Sequence, residues 1–127
     1  MQRSPLLQPL SREHHQALKL AKRCARAAAT GDAEQIARAC DAALQAFAAE
    51  LEPHFQVEER ELLPDLHTNT GLALVQRTQA DHRALRELCT GLQHRDGAAL
   101  AEFSSLLHAH VRFEERELFP FIEALPG

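Results

Sequence analysis

His54-Phe55-Gln56-Val57-Glu58-Glu59-Arg60-Glu61-Leu62-Leu63-Pro64 returns later in the chain as His110-Val111-Arg112-Phe113-Glu114-Glu115-Arg116-Glu117-Leu118-Phe119-Pro120. Seven of the eleven positions are identical, and they include both His-x-x-x-Glu pairs. Side chains four apart leave the same face of a helix. The repeat therefore predicts two related helices, each presenting an imidazole and a carboxylate in the same direction. A weaker echo links Glu13-His14 to Asp81-His82. The chain reads as two related helical hairpins.

The rest of the sequence agrees with helix. Of 127 residues, 45% are hydrophobic, with no Trp and no Tyr. Alanine and leucine dominate, and β-branched residues are few. The length suits one domain over residues 1–127 with one core. Fourteen basic against eighteen acidic residues leave a net charge of −4, which offers no nucleic-acid footprint. No apolar stretch is long enough to span a bilayer and no leader is visible, so a cytoplasmic protein is expected. Cys24, Cys40 and Cys89 form no Cys-x-x-Cys motif and are read as free thiols.

Breakers divide the chain into four helices. Ser11 is a candidate cap for the first, which runs to about Thr30 before Gly31-Asp32. Asp32 with Gln35 resembles a capping box for the second. That helix runs to about Leu63, with a bend expected at Pro53 and an end or kink at Pro64. His67 to Gly71 reads as a loop, and Leu72 to Gln93 as the third helix. After the turn Arg95-Asp96-Gly97, the fourth helix runs from Ala98 to about Leu125, disturbed at Pro120. Short connections favour an all-α, antiparallel up-down-up-down four-helix bundle.

Apolar stripes place the unusual residues. They read Leu7, Leu10, His14, Leu18, Ala21, Ala25 on the first helix and Leu44, Phe47, Leu51, His54, Glu58, Leu62 on the second. On the third they read Val75, Thr78, His82, Leu85, Cys89, Leu92. On the fourth they read Leu100, Phe103, Leu107, His110, Glu114, Leu118, Phe121. Four imidazoles and two carboxylates thus break otherwise apolar faces at one depth. An unpartnered buried carboxylate costs several kcal/mol or shifts until it is neutral. No Lys or Arg shares these stripes nearby, so a pair of di- or trivalent cations would satisfy all six groups. A single core histidine is ordinarily just hydrogen-bonded; four coincident breaks are not explained that way. Glu59, Arg60, Glu115 and Arg116 read as a solvated face. His108 lies off its stripe, and His67 and His94 lie near helix ends. The choice between His14 and His15 stays open. Glu13-His14 matches Asp81-His82, but His15 precedes Leu18 by the spacing that separates His82 from Leu85.

These residues resemble the hemerythrin-like, or HHE cation-binding, domain family, from about Leu10 to Pro120. The resemblance rests on Glu13-His14, His54-x-x-x-Glu58-Glu59, Asp81-His82 and His110-x-x-x-Glu114-Glu115. It implies a non-haem di-iron centre with His14 and His54 on one metal and His82 and His110 on the other. Glu58 and Glu114 would bridge them, with an oxo, hydroxo or water bridge besides. Two departures set this chain apart from the oxygen-carrying members. Thr78 stands where they have a fifth histidine, and the last acid is Glu114, four residues after its histidine rather than an Asp at five. Room on both metals is then expected, and simple oxygen carriage is not.

Imidazole and carboxylate donors without thiolate suit two iron ions; manganese or zinc fits less well. The Glu-x-x-His motif of ferritin-like bundles and the His-Glu-x-x-His motif of zinc proteases are absent. The expected function is binding or sensing of O2, peroxide, nitric oxide or iron itself. The alternatives are a di-iron oxidoreductase that consumes peroxide or nitric oxide, and an interaction module with a structural metal. A monomer and a homodimer are both compatible with the sequence, and no protein partner is implied.

Overall fold

The structure, a computed structural model, describes residues 3–126. The helices are α1 Gln8–Thr30, α2 Ala33–Ala46, α3 Glu52–Val57, α4 Asn69–Gln93, α5 Gly97–Phe113 and α6 Phe119–Glu123. Among the described residues there is no strand, and no helix is long and apolar enough to cross a membrane. Three π-turns, Phe47–Leu51, Glu58–Leu62 and Glu114–Leu118, weld these pieces into four antiparallel rods. α1 and α4 are the first and third rods. α2 and α3 with two π-turns form the second, and α5 and α6 with one π-turn form the fourth. α1 packs against α2 and α5, and α4 packs against the same two, closing a four-helix bundle.

The π-turns have one cause. Each ends two residues before a proline: Pro53, Pro64 and Pro120. A proline ring inside an α-helix clashes with the carbonyl four residues back and offers no N–H. Widening the turn moves that carbonyl aside. The N–H of Glu52 then reaches the Phe47 carbonyl, that of Leu63 reaches Glu58, and that of Phe119 reaches Glu114. The bend expected at Pro53 and the disturbance at Pro120 are therefore absorbed as wide turns, and the rods continue. A short 3-10 turn around Pro64, Leu63–Asp65, ends the second rod.

Two helix starts differ from the sequence reading. α1 begins at Gln8 rather than after Ser11, because Pro9 fits the first turn, where its missing N–H is not needed. The Ser11 hydroxyl instead donates to Glu115 Oε2 at 2.8 Å. α4 begins at Asn69 rather than Leu72, since Thr68 caps it by accepting the Gly71 N–H at 3.0 Å. The Asp32 cap matches, its side chain accepting from the Gln35 N–H, and Asp96 caps α5 by accepting from the Ala98 N–H. Gly31 closes α1 at φ 66, in the left-handed region glycine takes freely. Gly91 permits a close approach of α4 and α5, for a Cβ there would lie 2.5 Å from the Ala99 Cβ.

The first rod's inward face is also corrected. It runs Leu7, Leu10, His14, Ala17, Ala21, Cys24, while Leu18 is half-buried and Ala25 exposed. Cys24 and Cys40 are buried, Cys89 is half-buried, and all three are free thiols. The apolar core is split in two. One cluster, centred on Ala21, Ala43, Leu85 and Phe103, fills one end of the bundle. Another, centred on Leu10, Leu62, Leu118 and Phe119, fills the other. Between them lies a polar layer. Buried leucines contribute about 1.5–3 kcal/mol each, so two apolar plugs hold that layer in place.

Candidate metal centre

Each group of the polar layer is supplied by a different place on the rods. His14 comes from α1, His54 from α3, His82 from α4 and His110 from α5. Glu58 and Glu114 are the first residues of the second and third π-turns. All six side chains are buried. His15 is exposed, so among the two adjacent histidines only His14 reaches the layer. His67, His94 and His108 are exposed as well.

The two carboxylates lie between two pairs of imidazoles. Glu58 sets Oε2 3.1 Å from His54 Nε2 and Oε1 3.0 Å from His82 Nε2. Glu114 sets Oε1 2.8 Å from His14 Nε2 and Oε2 3.2 Å from His110 Nε2. His14, His54, Glu58 and Glu114 offer ligand atoms within 4.8 Å of one another, and so do Glu58, His82, His110 and Glu114. Both groups could hold a metal ion, and both carboxylates belong to both groups. Thr78 belongs to neither; its hydroxyl donates to the Leu74 carbonyl at 2.8 Å.

The other ring nitrogen of every histidine meets an acid. His14 Nδ1 lies 2.5 Å from Glu115 and His54 Nδ1 lies 2.6 Å from Glu13. His82 Nδ1 lies 2.7 Å from Glu59, and His110 Nδ1 lies 2.9 Å from Asp81. These contacts run first rod to fourth, fourth to third, third to second and second back to first. They form one closed circuit around the bundle. An acid that takes the Nδ1 proton fixes the tautomer and turns the Nε2 lone pair inward, as in metal-bound histidines generally. Three of the acids are held in turn by arginine: Glu115 by Arg3 at 3.1 Å, Asp81 by Arg77 at 3.1 Å and Glu59 by Arg86 at 3.0 Å.

This corrects the reading of Glu59 and Glu115 as a solvated face. Both are half-buried and bonded to an imidazole of another rod. A signal was present: each of the four acids adjoins an inward residue, as Glu13-His14, Glu58-Glu59, Asp81-His82 and Glu114-Glu115. Rings add support, with Phe55 stacked on His82 at 4.0 Å and Phe119 on His14 at 5.3 Å.

The electrostatics are those of a cation site. Burial alone should lower a histidine, yet Glu114 and Glu58 push His54 up to about 11. Against the same burial, Glu114 and Asp81 push His110 up to about 10. His14 also rises despite burial, through Glu114 and Glu115. Burial and the facing charge of Glu114 raise Glu58. Burial would raise Glu114 too, but the surrounding imidazoles hold it well below the usual carboxylate range. Two buried atoms, His110 Nε2 and Glu114 Oε2, have no hydrogen-bond partner although they lie 3.2 Å apart. Unpartnered buried polar atoms are costly, and a cation between these two would satisfy both. Once a metal displaces their protons, the imidazole nitrogens and carboxylate oxygens form a donor set that fits a first-row transition metal.

Comparison with known proteins agrees. Residues 6–122 match the family model described as the hemerythrin HHE cation binding domain. Comparisons with curated proteins and with solved structures gave no significant match. The buried histidine and glutamate layer and the match over nearly the whole chain lead to one conclusion: the chain belongs to the hemerythrin HHE cation-binding domain family.

Proposed function

We propose that this chain binds two iron ions in a carboxylate-bridged, non-haem site and uses them to bind or sense O2, peroxide, nitric oxide or iron itself. His14 and His54 would hold one ion, His82 and His110 the other, and Glu58 and Glu114 both. The observation that carries the reading is that each glutamate contacts a histidine of both pairs through separate oxygens. When bound, iron supplies redox change and open coordination positions for a small ligand.

The chain's own residues do the rest. Glu13, Glu59, Asp81 and Glu115 hold the Nδ1 protons, so the four imidazoles are preset as donors. The six groups are buried between the two apolar plugs, and burial strengthens the charge interactions among them. Thr78 supplies no imidazole, so each ion would be left with two histidines. That favours a reactive or sensing centre over a simple oxygen carrier. Loading also stabilises the fold, because binding free energy at a folded site adds to folding free energy.

The test is anaerobic reconstitution with ferrous iron, followed by metal analysis and exposure to O2. Two irons per chain and new charge-transfer absorption on exposure are expected. One zinc per chain and no iron uptake would sink the reading. A stable oxygenated form supports binding, and iron-dependent loss of peroxide supports turnover.

A further inference from the structure

The chain carries a net charge of −4, yet one groove on it is strongly basic. It measures about 820 Å³ and runs between α1 and the start of α2. Lys19, Lys22, Arg23 and Arg26 line it from α1, and Arg38 lines it from α2. Both lysines of the chain are among these five, and all five are exposed. Arg38 pairs with Glu34 at 3.5 Å, whereas the four cations of α1 make no salt bridge among the described residues. Asp32, the other acid in the groove, accepts from the Gln35 N–H.

This arrangement breaks a local rule. Lys19 with Arg23, and Lys22 with Arg26, are like charges four apart on one helix, and such pairs are destabilising. No acid occurs from His14 to Thr30 to offset them. The helix dipole does not account for them either, because it acts within the last turn and the last turn of α1 holds no basic residue. An uncompensated break of this kind marks a functional site. A bound polyanion would relieve the repulsion.

The lining narrows the class of polyanion. Its only apolar residues are Ala27 and Ala39. A nucleobase would find no aromatic ring to stack on, and a protein partner would find no pocket for a large apolar anchor. What remains is charge in a concave space. Arginine forks match phosphate oxygens in pairs. The α1 cations span seven residues, about 10 Å at the helical rise, so a single phosphate meets only some of them. We propose that this groove binds a compact polyphosphate, a small molecule with several phosphate groups and no aromatic part. None of the groove residues belongs to the metal layer, so the inference goes beyond the iron reading and does not rest on it.

The probe is inorganic tripolyphosphate, titrated into the full chain at low ionic strength. Iron is not added, because polyphosphates chelate metal ions. Calorimetry and amide chemical shifts give the readout. One tripolyphosphate per chain is expected, with shifts concentrated from Lys19 to Arg26 and at Arg38. Orthophosphate should bind at least about tenfold more weakly, and added salt should weaken both. Arg26→Gln should weaken tripolyphosphate about three- to tenfold, and Lys22→Gln combined with Arg26→Gln at least about tenfold. These side chains are exposed, so the variants should keep the fold and the parent's iron content. Arg60→Gln, an exposed cation of the second rod outside the groove, should leave binding unchanged. An equal loss in Arg60→Gln would reduce the effect to general attraction and overturn the site. Citrate binding as tightly as tripolyphosphate would overturn the phosphate assignment. Tighter binding of an oligoglutamate peptide would replace the small ligand with a protein partner. Shifts at His14 and His54 instead of the groove, or none at millimolar probe, would also overturn the site.

Discussion

Glu13 Oε1 lies 2.6 Å from His54 Nδ1, although the Glu13 side chain is 54% exposed. Its counterpart across the repeat is Asp81, which bonds His110 at 2.9 Å with a side chain only 10% exposed. Arg77 also holds Asp81, whereas a cavity of about 270 Å³ runs past Glu13. Two halves that repeat in sequence therefore differ in how firmly they hold a histidine.

That difference predicts unequal mutants. Asp81→Asn should weaken metal affinity about 10- to 100-fold, the usual effect of removing an acid behind a ligating histidine. Glu13→Gln should fall at or below the low end of that range, because solvent already screens the contact. Competition with a chromophoric chelator measures both. A larger loss in Glu13→Gln would contradict the argument.

The shared glutamates predict loss of stoichiometry. Glu58→Ala removes an oxygen from both proposed positions, and His110→Ala removes one imidazole. Each should lower iron to about one per chain or none. Elemental analysis after anaerobic loading checks this, and two irons in either variant would count against the assigned ligands.

Metal loading should compete with protons. Despite burial, the carboxylates around them hold His54 at about 11 and His110 at about 10 in the protein alone. A raised histidine adds stability that is complete below about pH 6.5 and fades as pH rises through its folded value. The metal-free chain should therefore lose stability from about pH 6.5 upward, until both groups are neutral. Cations need neutral imidazoles, so metal affinity should rise over the same range. Melting temperatures of loaded and chelator-treated protein should diverge as pH rises; convergence would contradict the linkage.

Acid acts through a different residue. Burial would raise Glu115, but His14, Ser11 and Arg3 hold it at about 2. Its stability contribution is complete above about pH 4.3 and is lost as pH falls toward 2. Glu115→Gln should flatten the metal-free stability profile in that window, as read from urea midpoints. An unchanged profile would mean that the ion pairs around Glu115 contribute nothing.

Helix contact, apart from the metal layer, has its own test. A Cβ at Gly91 would lie 2.5 Å from the Ala99 Cβ. Gly91→Ala should cost about 1–3 kcal/mol through overcrowding, even though alanine favours helix. Iron stoichiometry should stay at the parent value. A stabilised variant would show that α4 and α5 separate easily.

Much of the molecule is written in the order of its residues. The period of apolar positions determined four helices, and the His-x-x-x-Glu repeat determined which side chains share an inward face. Both follow from the fixed rotation per residue, a property of each helix alone. Other features depend on how the rods sit against one another. The sequence favoured His14 without closing the choice against His15, and packing of α1 against α5 turned His14 in and His15 out. Glu59 and Glu115 flank an inward residue and looked solvated. They became partners of His82 and His14 only because another rod lies at the right height. Prolines announced bends, yet whether a rod breaks or widens into a π-turn depends on the neighbours that hold it straight. The sequence alone thus determined the bundle and its six inward polar groups. Only the tertiary structure decided which acid meets each imidazole and how far each group is buried, because periodicity sets a direction around one axis and not the register between four.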